Sequence, residues 1–207
     1  MESVFDTGKR RDRLELSGSM KAGTDDRTPH VVHPRTVVGH VHLKVSDLDR
    51  SIRFYSEALG FQVTQVYGDQ AAFLSAGGYH HHIGLNTWES RGGSAPPPGT
   101  TGLYHVAFLY PHRSALADAL RRLMRQGVQL DGAADHGVSE ALYLHDPDGN
   151  GIELYRDRPE SQWPRDETGN LQMVTRPLDL EGLLQEPGAA PAPPEATTQA
   201  DPHPERD

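Results

Sequence analysis

Apolar and polar residues alternate along "TVVGHVHLKV", residues 36–45, so that Val41, Leu43 and Val45 share one face while His40, His42 and Lys44 take the other. A period of two is that of a strand with one face buried. The period then changes. In "SDLDRSIRFYSEALG" the residues Leu48, Ile52, Tyr55 and Leu59 recur at helical spacing, with Ser46 as the expected N-cap, Asp47 and Asp49 in the first turn and Gly60 as the stop. Three short strands are expected next, near "FQVTQVY", "AAFLSAG" and "HHIGLNTW". The Gly/Pro-rich "ESRGGSAPPPGTTG" that follows reads as a linker.

Beyond the linker the same order recurs. "GLYHVAFLYP" has the pattern of a strand, "SALADALRRLMRQG" that of a helix ending in glycine, and "EALYLHD" and "GIELYRD" those of two more strands. Each half carries the dipeptide His-Val on its first strand and closes on Ile-x-Leu, in "HIGLN" and in "GIELY". This is an internal repeat of roughly sixty residues, β-α-β-β-β twice. It predicts an α+β fold of two tandem βαβββ modules, about residues 37–88 and 101–156, sharing one core within a domain spanning 36–158. Residues 1–35 are polar and aperiodic and 186–207 are rich in Pro, Ala and acid, compositions expected to stay disordered. Residues 159–185 form an extension that the repeat does not account for.

Composition narrows the chemistry. A formal net charge of -9 offers no attraction to nucleic acid or to an anionic membrane surface. No apolar run has the length of a signal peptide core or a membrane span, so a soluble, cytoplasmic chain is expected. Without cysteine there is no disulfide and no thiolate, and a bound metal would take nitrogen and oxygen ligands. Histidine is the available donor, and His80, His81 and His82 stand in a row.

The segments "GHVHLKVSDLDRSIRFYSEALGF" and "LYLHDPDGNGIELYRD" resemble the two recurrent motifs of the vicinal oxygen chelate superfamily. That superfamily includes glyoxalase I, fosfomycin and bleomycin resistance proteins and extradiol catechol dioxygenases. The likeness runs over about residues 37–156 and leaves both tails and the extension uncovered. It implies that each module curls its sheet around half of a cup, forming a cupped mixed sheet with a divalent metal on its floor. The ligands it implies lie on the first strand of each module and the last strand of the second, which are His40, His105 and Glu153 here. Two imidazoles and one carboxylate on one face of an ion leave open positions for substrate and oxygen, the arrangement of non-haem Fe(II) oxygenases. Fe(II) is therefore the expected cofactor, with Mn(II), Ni(II) or Zn(II) as alternatives. Glyoxalase I resembles a version with a further glutamate ligand, at the position that Gly84 holds in this chain. Glycine offers no ligand, which favours the open site.

Strand alternation places His80 and His82 with Gly84 towards the cup, and His81 on the opposite face with Tyr79, Ile83 and Leu85. Extradiol dioxygenases use an imidazole on this strand as acid and base, a tyrosine ten residues before the glutamate ligand, and a His-Gly pair ahead of that tyrosine. The resemblance carries these roles to His82, with His80 second, to Tyr143, and to His136, whose spacing to Tyr143 is shorter than the pattern asks. A neutral histidine can take the proton of a catechol hydroxyl, and the imidazolium and a phenol can then donate to charge developing on oxygen. By the residues alone, the histidine run also reads as a polar strand end or turn, and Tyr143 as a core residue. "DPDGNG" reads as a turn that aims Glu153. The expected function is extradiol-type cleavage of a catechol-like aromatic diol with O2, without nucleic-acid or membrane partners. An isomerase, epimerase or thiol transferase on the same triad, or a drug-binding resistance protein, are the alternatives. Family members pair modules across chains, which leaves room for a homodimer.

Overall fold

The computed structural model describes residues 31–189, so the tails expected to be disordered lie outside the described residues except for 31–35 and 186–189. Residues 31–39 belong to a unit of their own and hold one turn, in which the Thr36 N–H donates to the His33 carbonyl at 2.9 Å. The first module runs β1 (Val41–Lys44), α1 (Leu48–Arg53), a π-helical turn (Phe54–Ala58), β2 (Gln62–Tyr67), β3 (Ala71–Ser75) and β4 (Ile83–Asn86). The second runs β5 (Val106–Leu109), α2 (Arg113–Arg125), β6 (Gly132–Asp135), β7 (Ser139–His145) and β8 (Gly151–Asp157). Each module builds its own mixed sheet, ordered β1-β4-β3-β2 and β5-β8-β7-β6, with β1–β4 and β5–β8 parallel and the other pairs antiparallel. The two βαβββ repeats expected of an α+β chain are present.

Local chemistry moves some boundaries. The first strand begins at Val41 rather than Thr36, because its partner β4 begins at Ile83 and the ladder starts with that pair. His40 therefore sits just before the strand. The N-cap of α1 is Asp47, whose carboxylate accepts the Arg50 N–H at 3.0 Å, and not Ser46. Strand β6 escapes hydrophobic patterning because "GAAD" carries too little side chain to show a period.

Apolar faces of both sheets close against the helices. Leu43, Val45, Leu74, Ile83 and Leu85 from the first sheet and Leu142, Leu144, Ile152 and Leu154 from the second join Tyr55, Leu116, Leu120 and Leu123 in one core cluster. Each such side chain contributes about 1.5–3 kcal/mol when fully buried. Polar contacts join the modules as well. Tyr55 is fully buried and donates its hydroxyl to Asp146 Oδ2 at 3.0 Å, which pushes the phenol pKa up through burial and the adjacent carboxylates. Asp148 accepts from the Ser46 hydroxyl at 2.5 Å and from Arg50 Nη2 at 2.6 Å. Burial pushes the Asp148 carboxyl up, but those donors outweigh it and hold the group below the usual carboxylate range. Gly60 at φ 88° ends the first helical segment where a Cβ would meet Arg122 Nη1 at 2.7 Å, and that guanidinium donates to the Leu59 carbonyl.

The extension is built into the second module. Its strand β9 (Arg176–Pro177) pairs with the edge of β6, and its helix α3 (Leu180–Leu184) buries Leu183. Arg113 and Arg121 of α2 donate to the α3 carbonyls of Gly182 and Leu184. Among the described residues no helix is long and apolar enough to cross a membrane.

Candidate functional site

In the second module, burial alternates along β7 and β8 so that Leu142, Leu144, Ile152 and Leu154 turn into the core while Tyr143 and Glu153 turn to the other face. The ladder sets Tyr143 opposite Glu153, and on the other side Ala107 of β5 is paired with Glu153. His105, two residues before Ala107, shares that face. Its Nε2 lies 3.0 Å from Glu153 Oε2, with side chains 32% and 14% exposed, so the pair is reachable from solvent without being swamped by it.

The carboxylate's other oxygen is also engaged. Tyr143 donates its hydroxyl towards Glu153 Oε1 at 3.2 Å, and His136 Nε2 lies 2.8 Å from the same hydroxyl. His105, Glu153, Tyr143 and His136 thus form one continuous array. Burial first, then the charge of Glu153 and its hydrogen bond, push the Tyr143 phenol up to about 12. At neutral pH it stays protonated and serves as a donor. His136 is in turn held from its far side, where Nδ1 lies 3.0 Å from the Val174 carbonyl.

The first module presents imidazoles and rings at the corresponding place. His42 and Phe73 flank Gly84 in register, with His42 ring centroids 6.1 Å from Phe73 and 5.6 Å from Trp88. A Cβ on Gly84 would stand 2.9 Å from His42 Nδ1, so the glycine leaves the room that this ring takes. His81 lies 4.5 Å from His40 and 5.0 Å from Phe73 between ring centroids. It therefore shares the face of Phe73, contrary to the face that alternation gave it. The reason is local: pairing begins at Ile83, and residues 79–82 do not alternate as a strand would. His80 Nδ1 is 2.7 Å from His81 Nδ1, and Thr64, at a bulge in β2, donates its hydroxyl to the His80 carbonyl at 2.9 Å. Thr64, Gln65, Phe73, His80 and His81 line a cavity of about 260 Å³.

His82 stands beside Ser75, Nδ1 to Oγ 2.9 Å, and against the Tyr79 ring at 4.9 Å. Burial and the neighbouring His80 lower its pKa, and burial lowers those of His42 and His81, with the surrounding imidazoles adding to the effect. These rings remain neutral where free histidine begins to charge, which suits proton acceptance.

Of the residues singled out from the sequence, the fold brings His105, Glu153, Tyr143 and His136 together, and separately gathers His40 with His80 and His81. His40, His105 and Glu153 do not gather within one chain into a group that could hold a metal ion. Among the described residues no three His, Asp or Glu side chains gather into a group that could hold a metal ion. The His105–Glu153 pair nevertheless has the donor chemistry for one side of a divalent ion, a ring nitrogen and a carboxylate oxygen converging with a phenol orienting the carboxylate. His42 and Val174 were not singled out. The packing of His42 follows from the small residue beside it, which pairing register reveals, whereas the contact of Val174 is made by backbone and leaves no mark in the sequence.

The sequence model of the glyoxalase/bleomycin resistance protein/dioxygenase superfamily matches residues 37–154. Catechol-2,3-dioxygenase of Bacillus subtilis (strain 168) is 46% identical over 157 residues, covering 76% of this chain and 54% of that protein. Biphenyl-2,3-diol 1,2-dioxygenase 3 of Rhodococcus globerulus is 36% identical over 129 residues, covering 61% of this chain and 65% of that protein. The chain thus spans about half to just under two thirds of the length of these relatives. A crystal structure of a glyoxalase/dioxygenase from Nostoc punctiforme shares the fold, with a TM-score of 0.52 at 22% identity over 62% of this chain and 97% of that one.

Proposed function

Because the chain belongs to the glyoxalase/bleomycin resistance protein/dioxygenase superfamily, we propose that it is a metal-dependent, extradiol-type dioxygenase that opens a catechol-like aromatic diol with O2. The observation that carries this reading is the array His105–Glu153–Tyr143–His136, in which an oriented carboxylate and imidazole stand beside a protonated phenol. The similarity to two relatives named as ring-diol dioxygenases supports it. Gly84, where a four-ligand site would need a carboxylate, points the same way.

His105 and Glu153 would hold the metal from one module, and His40 from the first module of a second copy, in a cytoplasmic homodimer. Fe(II), when bound there, supplies a Lewis-acid and one-electron centre for the diol and O2. The chain's own groups carry the protons. His82, whose pKa burial lowers, would take a diol hydroxyl proton and return it later as a general acid. Tyr143 donates to negative charge developing on oxygen, and His136 holds the phenol in place. Phe73 and Trp88 give the diol ring an apolar wall beside the imidazoles.

The test is anaerobic loading with Fe(II), followed by simultaneous oxygen-electrode and absorbance traces on adding catechol and substituted catechols. Iron-dependent oxygen uptake with a yellow ring-cleavage product is expected, from a protein that sediments as a dimer. No uptake across the panel from protein with confirmed iron overturns the dioxygenase reading. A monomer that binds iron stoichiometrically overturns the shared site.

A further inference from the structure

The extension beyond the repeat reaches the array at His136. Val174 grips His136 at two points: its N–H donates to the His136 carbonyl at 3.1 Å, and its carbonyl lies 3.0 Å from the ring's Nδ1. A carbonyl oxygen accepts and cannot donate, so Nδ1 must carry the ring proton. In the neutral ring Nε2 is then a bare acceptor, and Nε2 faces the Tyr143 hydroxyl at 2.8 Å. Thr175 Oγ1, at 3.4 Å from Nδ1, is the longer and lesser contact.

The segment that makes this grip is itself anchored. Strand β9 pairs Arg176 with Asp135 and Pro177 with Ala134, next to His136 in the chain, and Gln172 N–H donates to the Pro164 carbonyl at 2.8 Å. Gly137 lies under the same segment at φ 77°, where a Cβ would meet Pro164 Cγ at 2.7 Å and Val174 Cγ2 at 3.2 Å.

We infer that the extension is a positioning element: through the Val174 carbonyl it fixes His136 in the Nδ1–H tautomer, so that Tyr143 has an acceptor in His136 Nε2 beside the one in Glu153. The phenol has one proton and two acceptors, at 2.8 Å and 3.2 Å. With Nε2 bare, Tyr143 shares its proton away from Glu153 and leaves that carboxylate more basic as a ligand. With the proton on Nε2 instead, His136 would donate to Tyr143, and the phenol would be committed to Glu153. Val174 therefore tunes Glu153 from two groups away. The catalytic consequence rests on the dioxygenase reading, whereas the tautomer assignment does not.

The experiment is long-range 1H–15N imidazole spectroscopy on the full-length, metal-free, 15N-labelled protein, with His136 assigned by its loss in His136→Gln. The wild type is expected to show a His136 proton on Nδ1. Val174→Pro deletes the N–H that ties the segment to the His136 carbonyl, and Gly137→Ala pushes Pro164 and Val174 away from the other side. Both are expected to move His136 to the Nε2–H form that imidazole side chains favour in water, while Thr175→Val leaves the tautomer unchanged. A wild-type His136 protonated on Nε2 overturns the inference without any variant. So does an unchanged tautomer in variants whose amide spectra remain folded. In the oxygen-uptake assay Val174→Pro should lower kcat by about tenfold with KM within about twofold, and adding His136→Gln should cost little more. Absence of ring cleavage in the wild type with the expected tautomer shifts would sink the dioxygenase reading and leave the positioning role standing.

Discussion

Gly84 and Glu153 hold the same place in the two modules. Each is paired across a parallel ladder with the second residue of its module's first strand, His42 or Ala107. Each faces an aromatic residue on the antiparallel neighbour, Phe73 or Tyr143. The bulk has been exchanged within one frame. Where the last strand keeps a glycine, an imidazole from the first strand fills the space; where it carries a carboxylate, the first strand retreats to alanine. The phenol in the second module and the phenyl in the first differ by one hydroxyl, which is the group that touches Glu153. One repeated frame thus carries a carboxylate, imidazole and phenol in one module and packed imidazoles and rings in the other, the division of labour that the proposed reaction would use.

The largest effect expected on this contrast comes from making the second module like the first. Glu153→Ala should abolish iron binding and ring cleavage together, read by elemental analysis and oxygen uptake; full iron occupancy in that variant would remove Glu153 from the site. Next is His82→Ala on the first face, which should keep the iron and cut turnover by a factor of order one hundred. Unchanged turnover with iron bound would reject its role. The sign of its pH effect follows from its lowered pKa: the neutral base is present at and above the ordinary value of 6.5 and is lost as pH falls through the lower folded value. Acidification should therefore depress both wild-type kcat/KM and the urea midpoint more than it does in His82→Ala. A profile identical in the two proteins would assign the acid limb to another group.

Tyr143→Phe removes the one hydroxyl by which the modules differ there and should cost about tenfold in turnover with the fold intact. An equal loss of thermal stability and of activity would instead mark the phenol as structural. Smallest is Gly84→Ala, which crowds His42 and should lower stability by about 1 kcal/mol in thermal unfolding. A neutral result would show that His42 can leave its place freely.

The repeat was legible because each strand with one buried face prints its period, as Val41, Leu43 and Val45 do, and because His-Val and Ile-x-Leu mark the same ladder positions twice. The choice of His105, Tyr143 and Glu153 came from the resemblance and not from the period, and the ladders that bring the three into contact are those of β5, β7 and β8. The reading failed where no ladder enforces alternation. His81 turns to the side of Phe73 because the chain before Ile83 is irregular, and β6 is silent because Gly132 and Ala133 have almost no side chain to pattern. Ser46 was read as a cap from local spacing, yet its hydroxyl is taken by Asp148, which lies 102 positions away and is invisible to any local rule.

That last contact has a consequence for how the chain must fold. The turn leading into β8 is held by Ser46, Arg50 and Tyr55, all from the first module, so that turn gains these three contacts only when a loop of about a hundred residues has closed. The hairpin that delivers Glu153 thus ties the stability of one module to that of the other, and a fragment holding the second module alone would leave Asp146 and Asp148 without these partners.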